Sequence, residues 1–257
     1  MAALSDTARA AGFHLVHLAE VGSTNAEALA RGAEGEVRPT WFVADRQTAG
    51  RGRRGREWVG IEGNLFATLL LTDPAPAPRM AELCFVAALA LDDALLALAP
   101  DLEDRFRLKW PNDALLDGAK VSGTLIEATT RGAVTQAAIG IGVNIAGHPD
   151  GMPYPTTSLR AAGLAVTRDQ VFAALSRSMV TALAIWNRGA GFDAIRAGWL
   201  ARAHQLGRPL AIKADGRHVE GIFVGLDPQG RLMLDTPGGR EMITVGDVMP
   251  SLTGTVH

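Results

Sequence analysis

Cysteine is almost missing from the 257 residues: Cys84 stands alone. An internal disulfide and a cysteine-based metal cluster are therefore excluded. Lysine is nearly as scarce. Only Lys109, Lys120 and Lys213 occur among 25 basic side chains, which makes each of them informative. Aromatic residues amount to 5%, with a single tyrosine. No apolar run is long enough to span a bilayer, since the most apolar stretch, Leu83 to Leu98, is interrupted by Asp92 and Asp93. The N-terminus lacks the basic start and apolar block of a signal peptide. Six histidines are scattered without metal-ligand spacing. No His, Cys or Ser arrangement suggests a covalent nucleophile, so an enzyme of this sequence takes its nucleophiles from its substrates. A net charge of -2 argues against a surface coated in basic residues for nucleic acid. The chain reads as cytoplasmic and soluble, with neither a membrane nor a nucleic acid as partner.

Hydrophobic residues make up 47%, ample for a core. "LVHLAEVG" (15–22), "TWFVAD" (40–45), "NLFATLLL" (64–71), "FRLKW" (106–110) and "QAAIGIGVNI" (136–145) read as strands. Thr24 with Glu27 fits a capping box that starts a helix, and Thr167 with Gln170 fits a second. Residues 81–99 are apolar on nearly all sides, as in a buried helix. Behind the second box, Val171, Phe172, Leu175, Met179, Leu183 and Trp186 mark one face of an amphipathic helix. "NDALLDGAKVSGTLIEAT" reads as a hairpin turning at Asp117-Gly118. From Gly207 on, Asp215-Gly216, Gln229-Gly230 and Gly238-Gly239 punctuate short strands, the pattern of a small β-barrel. The expected fold is α+β: a mixed, largely antiparallel sheet with packed helices over 1–206, and a β-domain over 207–257.

The chemistry concentrates in a few stretches. "ADRQTAGRGRRGREW" (44–58) holds five arginines and three glycines. Gly50, Gly52 and Gly55 formally spell G-x-G-x-x-G, but no helical face follows, so the dinucleotide reading is rejected. No P-loop sequence occurs anywhere. Alternating Gly and Arg lets backbone N–H groups and forked guanidinium donors wrap an anion, which favours a phosphate-bearing ligand over a solvated loop. Lys120 is either a mobile point charge for a reacting oxygen or a solvated turn residue. Asn112 and Asp113, after a proline, are equally readable as turn residues. Ser23, Thr24 and Asn25 are good caps, at a helix start where a ligand carbonyl or carboxylate could also find N–H groups. Gly140 and Gly142, beside Asn144 on an apolar strand, suggest close approach by a ligand or another backbone.

In this order and spacing, "EVGSTNAEA", "ADRQTAGRGRRGREW", "GNLF", "KWPNDALLDGAKVSG" and "IGIGVNI", followed by a small β-domain, resemble the biotin–protein ligase family. The resemblance implies a class II synthetase-like catalytic domain with an SH3-like C-terminal barrel. It implies an enzyme that joins biotin to ATP as biotinyl-5′-adenylate, with Mg²⁺ accompanying the ATP. Biotin then passes to a lysine of the biotin carboxyl carrier domain of acetyl-CoA carboxylase. Ser23, Thr24, Asn25, Gln47, Gly52 and Gly123 would face biotin. Arg51, Arg53 and Lys120 would be catalytic, with Lys120 touching both the biotin carboxyl and the α-phosphate. Arg54, Asn112, Asp113 and Asn144 would join them around the nucleotide, with Asp113 the one candidate near the metal. A lipoate- or octanoate-transferring enzyme of the same fold is the alternative. Thr124 departs mildly from the family, where an aliphatic residue is common. About twenty residues precede the first shared motif, too few for the DNA-binding module of some members, so no DNA binding is expected.

Overall fold

The computed structural model describes residues 2–249 apart from 215 and 245. The elements in chain order are α1 (Asp6–Ala10), β1 (His14–Val21), α2 (Thr24–Ala33), β2 (Thr40–Gln47), β3 (Leu65–Thr72) and α3 (Leu83–Leu98). Next come β4 (Phe106–Lys109), β5 (Asp113–Leu116), β6 (Ala119–Arg131), β7 (Val134–Val143), α4 (Arg168–Trp186) and α5 (Phe192–Ala201). The chain continues through β8 (Pro209–Ala214), β9 (Arg217–Leu226), β10 (Leu232–Thr236), β11 (Gly239–Ile243) and β12 (Asp247–Met249). The first seven strands form one sheet in the order β1-β2-β3-β7-β6-β5-β4. Its pairs are antiparallel except β1–β2, whose parallel partners need a crossover, and α2 supplies it. Strands β8 to β12 form a separate antiparallel sheet in the order β11-β10-β9-β8-β12, the small β-domain expected from the sequence. Of the three turns expected there, the one at 215–216 lies partly outside the described residues.

Side-chain alternation divides the large sheet into two working faces. Trp41, Val43, Leu65, Ala67, Leu69, Ile139 and Ile141 point into the main core beneath α3 and α4. Phe42, Leu70 and Ala138, their neighbours one residue along, meet Ala28 of α2 on the opposite face. The cavity described below opens on that second face. α4 starts with both bonds of the expected capping box, Gln170 N–H to Thr167 Oγ1 (3.3 Å) and Thr167 N–H to Gln170 Oε1 (2.9 Å). The Asp117-Gly118 turn has φ of 52° and 79°, the two positive values that a two-residue hairpin between twisted strands requires.

The first capping box does not form. Ser23 is the N-cap of α2 and makes no side-chain capping bond, while Glu27 pairs with Arg31 at 2.8 Å. Thr24 is recruited by the neighbouring strand instead: Gln47 Oε1 of β2 accepts its N–H (2.8 Å) and its hydroxyl (3.0 Å). A tertiary acceptor has replaced the local one.

α3 is buried along most of its length, as its composition predicts, but it carries Asp92 at 2% exposure. Arg202, just past α5, pairs with that carboxylate. Burial outweighs the arginine and lifts the Asp92 pKa from 3.8 to about 6. A carboxyl that holds its proton more tightly when folded contributes stability below its unfolded pKa and loses it as pH rises through the folded one. Between about pH 4 and 6 the parent should therefore lose stability relative to Asp92→Asn, by on the order of 2 kcal/mol. Urea titrations of both proteins across that range test this, and a difference independent of pH would refute it.

Candidate active site

One cavity of about 790 Å³ collects most of the residues singled out in the sequence. Ser23, Thr24, Asn25, Gln47, Arg51, Gly52, Arg53, Asn112, Asp113, Lys120 and Gly123 all line it. Arg54 and Asn144 do not.

The buried end is built where α2 meets the sheet. Asn25, 3% exposed, donates to Leu125 O (3.2 Å) and Glu127 Oε2 (2.9 Å), and its Oδ1 accepts from Thr68 Oγ1 (2.7 Å). This network explains Gly140. A Cβ there would lie 2.3 Å from Asn25 Oδ1. Gly142 and Gly123 make room for a different side chain: their Cβ atoms would stand 2.4 Å and 3.1 Å from the Trp58 ring. The close approach expected at the glycines of β7 is thus made by the side chains of Asn25 and Trp58, not by another backbone.

The Arg/Gly segment folds back on itself as a flap. Gly52 N–H donates to Arg56 O (2.7 Å), Trp58 N–H donates to Gly50 O (3.0 Å), and Arg51 bridges to Glu57. The reversal runs through Arg54 and Gly55 at φ 57° and 72°. No helix follows Gly55, in keeping with the rejected dinucleotide reading. Every arginine of the flap has an acceptor. Arg51 reaches Glu127 (3.2 Å), Arg53 reaches Asn112 Oδ1 (3.2 Å), and Arg54 reaches Asp247 (2.7 Å), which Arg56 also contacts.

Lys120 is not a solvated turn residue. Its side chain is 16% exposed, with Nζ 2.6 Å from Asp113 Oδ1 and about 5.5 Å from the centroids of Trp58 and Tyr154. Its backbone clamps the 147–157 loop, donating to Pro155 O and accepting from Thr157 N–H, both at 2.9 Å. Asn112 is held by Thr124 through paired bonds of 2.8 and 2.9 Å, so it too is more than a turn former. Asn144, by contrast, is buried behind the cavity wall. Its Nδ2 donates to Thr157 O (3.1 Å) and its backbone receives Leu159 N–H (3.0 Å), which fixes the loop.

Sequence reasoning missed several residues. Lys109 lines the cavity, and burial first, then Lys120, holds its pKa below the ordinary lysine value against the pull of Asp113. The scarcity of lysine was the signal for it. Trp58 ends the Arg/Gly stretch, and Tyr154, the single tyrosine, sits in the Pro/Gly-rich loop. Glu127 and Asp247 carried no local signal at all. Among the described residues the cavity lining pairs no hydroxyl or thiol with a base. Cys84 is pushed up to about 12 by burial and donates to Pro111 O (3.3 Å), while a His148–Ser158 contact (3.3 Å) lies outside the lining. Five basic side chains and no activated nucleophile suit reactions in which one substrate attacks another near phosphate.

A family model described as Biotin/lipoate A/B protein ligase family matches residues 30–144, and one described as Biotin protein ligase C terminal domain matches 206–249. The biotin–[acetyl-CoA-carboxylase] ligase of Paracoccus denitrificans is 44% identical over 242 residues, covering 90% of this chain and 98% of that one. The chain belongs to the biotin protein ligase family. The enzyme of the same name from Mycobacterium tuberculosis is 32% identical, over 90% of this chain and 87% of its own. The biotin protein ligase of Aquifex aeolicus, solved with biotin and ATP, superposes with a TM-score of 0.76 at 29% identity, over 92% of this chain and 97% of that one. As a member of this ligase family, the chain builds its cavity from the same motifs that carried the resemblance.

The packing at Gly140 makes a direct prediction. Gly140→Ala forces a methyl group into Asn25, whose amide is fixed by three partners, and should destabilise the fold by about 1–3 kcal/mol. Denaturant unfolding measures this, and a parent-like midpoint would show that Asn25 is free to move.

Proposed function

We propose that this protein is a biotin–protein ligase that forms biotinyl-5′-adenylate and transfers the biotinyl group to a lysine of a biotin carboxyl carrier domain. The observation that carries this reading is the convergence of Arg51, Arg53 and Lys120 on a cavity whose described lining pairs no hydroxyl or thiol with a base. In the first step a biotin carboxylate oxygen attacks the α-phosphorus of ATP and pyrophosphate leaves. Two anions must meet, and the three cations offset their repulsion and the charge growing on the phosphoryl oxygens. In the second step the neutral amine of the carrier lysine attacks the acyl carbon, AMP leaves, and the amine proton passes to solvent or phosphate. The mixed anhydride supplies its own leaving group, so no covalent enzyme intermediate is required.

In this reading Ser23, Thr24, Asn25, Gln47, Gly52 and Gly123 hold biotin, with Lys120 at its carboxylate. Arg51, Arg53, Asn112, Asp113 and Lys120 hold the nucleotide. Arg54 and Asn144 support the flap and the 156–159 loop without lining the cavity. The catalytic unit is taken as 1–206 and the β-domain as starting at 207, with 250–257 outside the described residues. Among the described residues no group of three or more His, Cys, Asp or Glu could cage a metal ion. Asp113 is a carboxylate at the cavity, which suits Mg²⁺ that arrives on the nucleotide phosphates and keeps most of its ligands from them. That ion would draw charge from the phosphoryl oxygens. No described helix is long and apolar enough to cross a membrane, which is compatible with a cytoplasmic enzyme acting on soluble carriers.

Pyrophosphate release with ATP and either biotin or lipoate separates this reading from a lipoate-transferring enzyme. Release with biotin is expected, and release with lipoate alone would overturn the assignment. Arg51→Ala removes both a cavity cation and the contact with Glu127. It should raise the escape of free biotinyl-adenylate roughly tenfold or more, seen as non-specific labelling of bystander lysines. A variant that retains the intermediate as well as the parent would deny Arg51 that role.

A further inference from the structure

The flap is held from a quarter that takes no part in the chemistry above. Asp247 is the first residue of β12, at one edge of the C-terminal sheet. Its Oδ2 receives Arg54 at 2.7 Å and also receives Arg56, while the carbonyl of Gly246 lies 3.5 Å from the Arg53 guanidinium. Two adjacent residues of the β-domain thus engage three of the flap's four arginines. The Asp247 side chain is 25% exposed and those of Arg54 and Arg56 are 40% and 50%, so salt reaches and weakens these pairs.

Two further features make this a built contact. Arg54 stands at φ 57°, a conformation that side-chain-bearing residues hold only where their surroundings enforce it, and Asp247 is the partner its guanidinium finds. The segment that presents Asp247 is itself seated closely: a Cβ on Gly246 would lie 2.5 Å from Ile212 Cγ2 of β8. The β-domain is tied in turn to the catalytic half. Trp110 Nε1 donates to Gly230 O (3.2 Å) and Arg196 donates to Leu226 O (2.9 Å). Asp247 therefore reaches the flap from a supported frame.

We propose that Asp247 is a positioning residue that latches the flap to the C-terminal β-domain, holding Arg51 and Arg53 toward the cavity. The β-domain thereby becomes part of the closing device. Its consequence for catalysis rests on the ligase reading, but the latch itself does not, and the test keeps the two apart. Trypsin cuts after arginine, so cleavage within 51–56 of the full-length, ligand-free protein reports opening of the flap. Asp247→Asn should be cut there roughly tenfold faster than the parent at low salt, and Asp247→Glu should be cut at close to the parental rate. High salt should bring the parent toward the Asn variant and change that variant little. Equal cleavage of parent and Asp247→Asn, with matching thermal unfolding, would overturn the latch. With biotin and ATP present, the Asn variant should also release more biotinyl-adenylate than the parent. A parent that makes no pyrophosphate from biotin would instead defeat the ligase reading, and the cleavage rates would still decide the latch.

Discussion

Five basic side chains, Arg51, Arg53, Arg56, Lys109 and Lys120, face a single cavity, and holding them together against their mutual repulsion shapes the surrounding structure. The cost is visible in Lys109, whose charged form is disfavoured by burial and by Lys120. Carboxylates offset it, and they come from separate elements: Glu127 from β6, Asp113 from β5 and Asp247 from β12. Each takes its own share of the cations. A reaction that brings a carboxylate to a polyphosphate needs such a concentration of positive charge, with each side chain kept in place before the substrates arrive.

The sheet supplies the other requirement, which is space. Because side chains alternate along a strand, β3 and β7 bury one row beneath α3 and α4 and turn the next toward the cavity. On that second row β7 carries Gly140 and Gly142. Asn25 fills the volume over the first, and the Trp58 indole lies over the second. The glycines therefore fix the positions of two side chains, one from α2 and one from the flap. A larger residue at either place would move the element that supplies the side chain.

Much of this was legible in the sequence because it rests on local periodicity. The strands, the buried α3, the amphipathic α4 with its capping box and the Asp117-Gly118 turn all follow from short-range patterning and turn chemistry. Where local reasoning failed, a distant partner had intervened. Thr24 looked like a capping residue but answers to Gln47 on β2. Asn144 lies in a glycine-marked strand beside the site, and the Thr157 carbonyl its side chain holds could not be read from that strand. Glu127 and Asp247 are ordinary surface-type residues until the fold brings them to arginines 76 and 193 positions away in the chain. No spacing rule encodes such contacts. The composition did point to Lys109 and Lys120, since a chain so poor in lysine has placed two of its three in one cavity.

Of the cavity cations, Lys120 is the one fixed on every side. Asp113 binds its ammonium, Trp58 and Tyr154 flank it, and its backbone joins β6 to the 147–157 loop. The account therefore stands or falls on what this ammonium does when carboxylate and phosphate meet. Single-turnover formation of biotinyl-adenylate by Lys120→Ala, from labelled ATP and saturating biotin, measures it most directly. The account predicts a rate lower by roughly a hundredfold or more with thermal stability retained. A parental rate from a folded variant would contradict it.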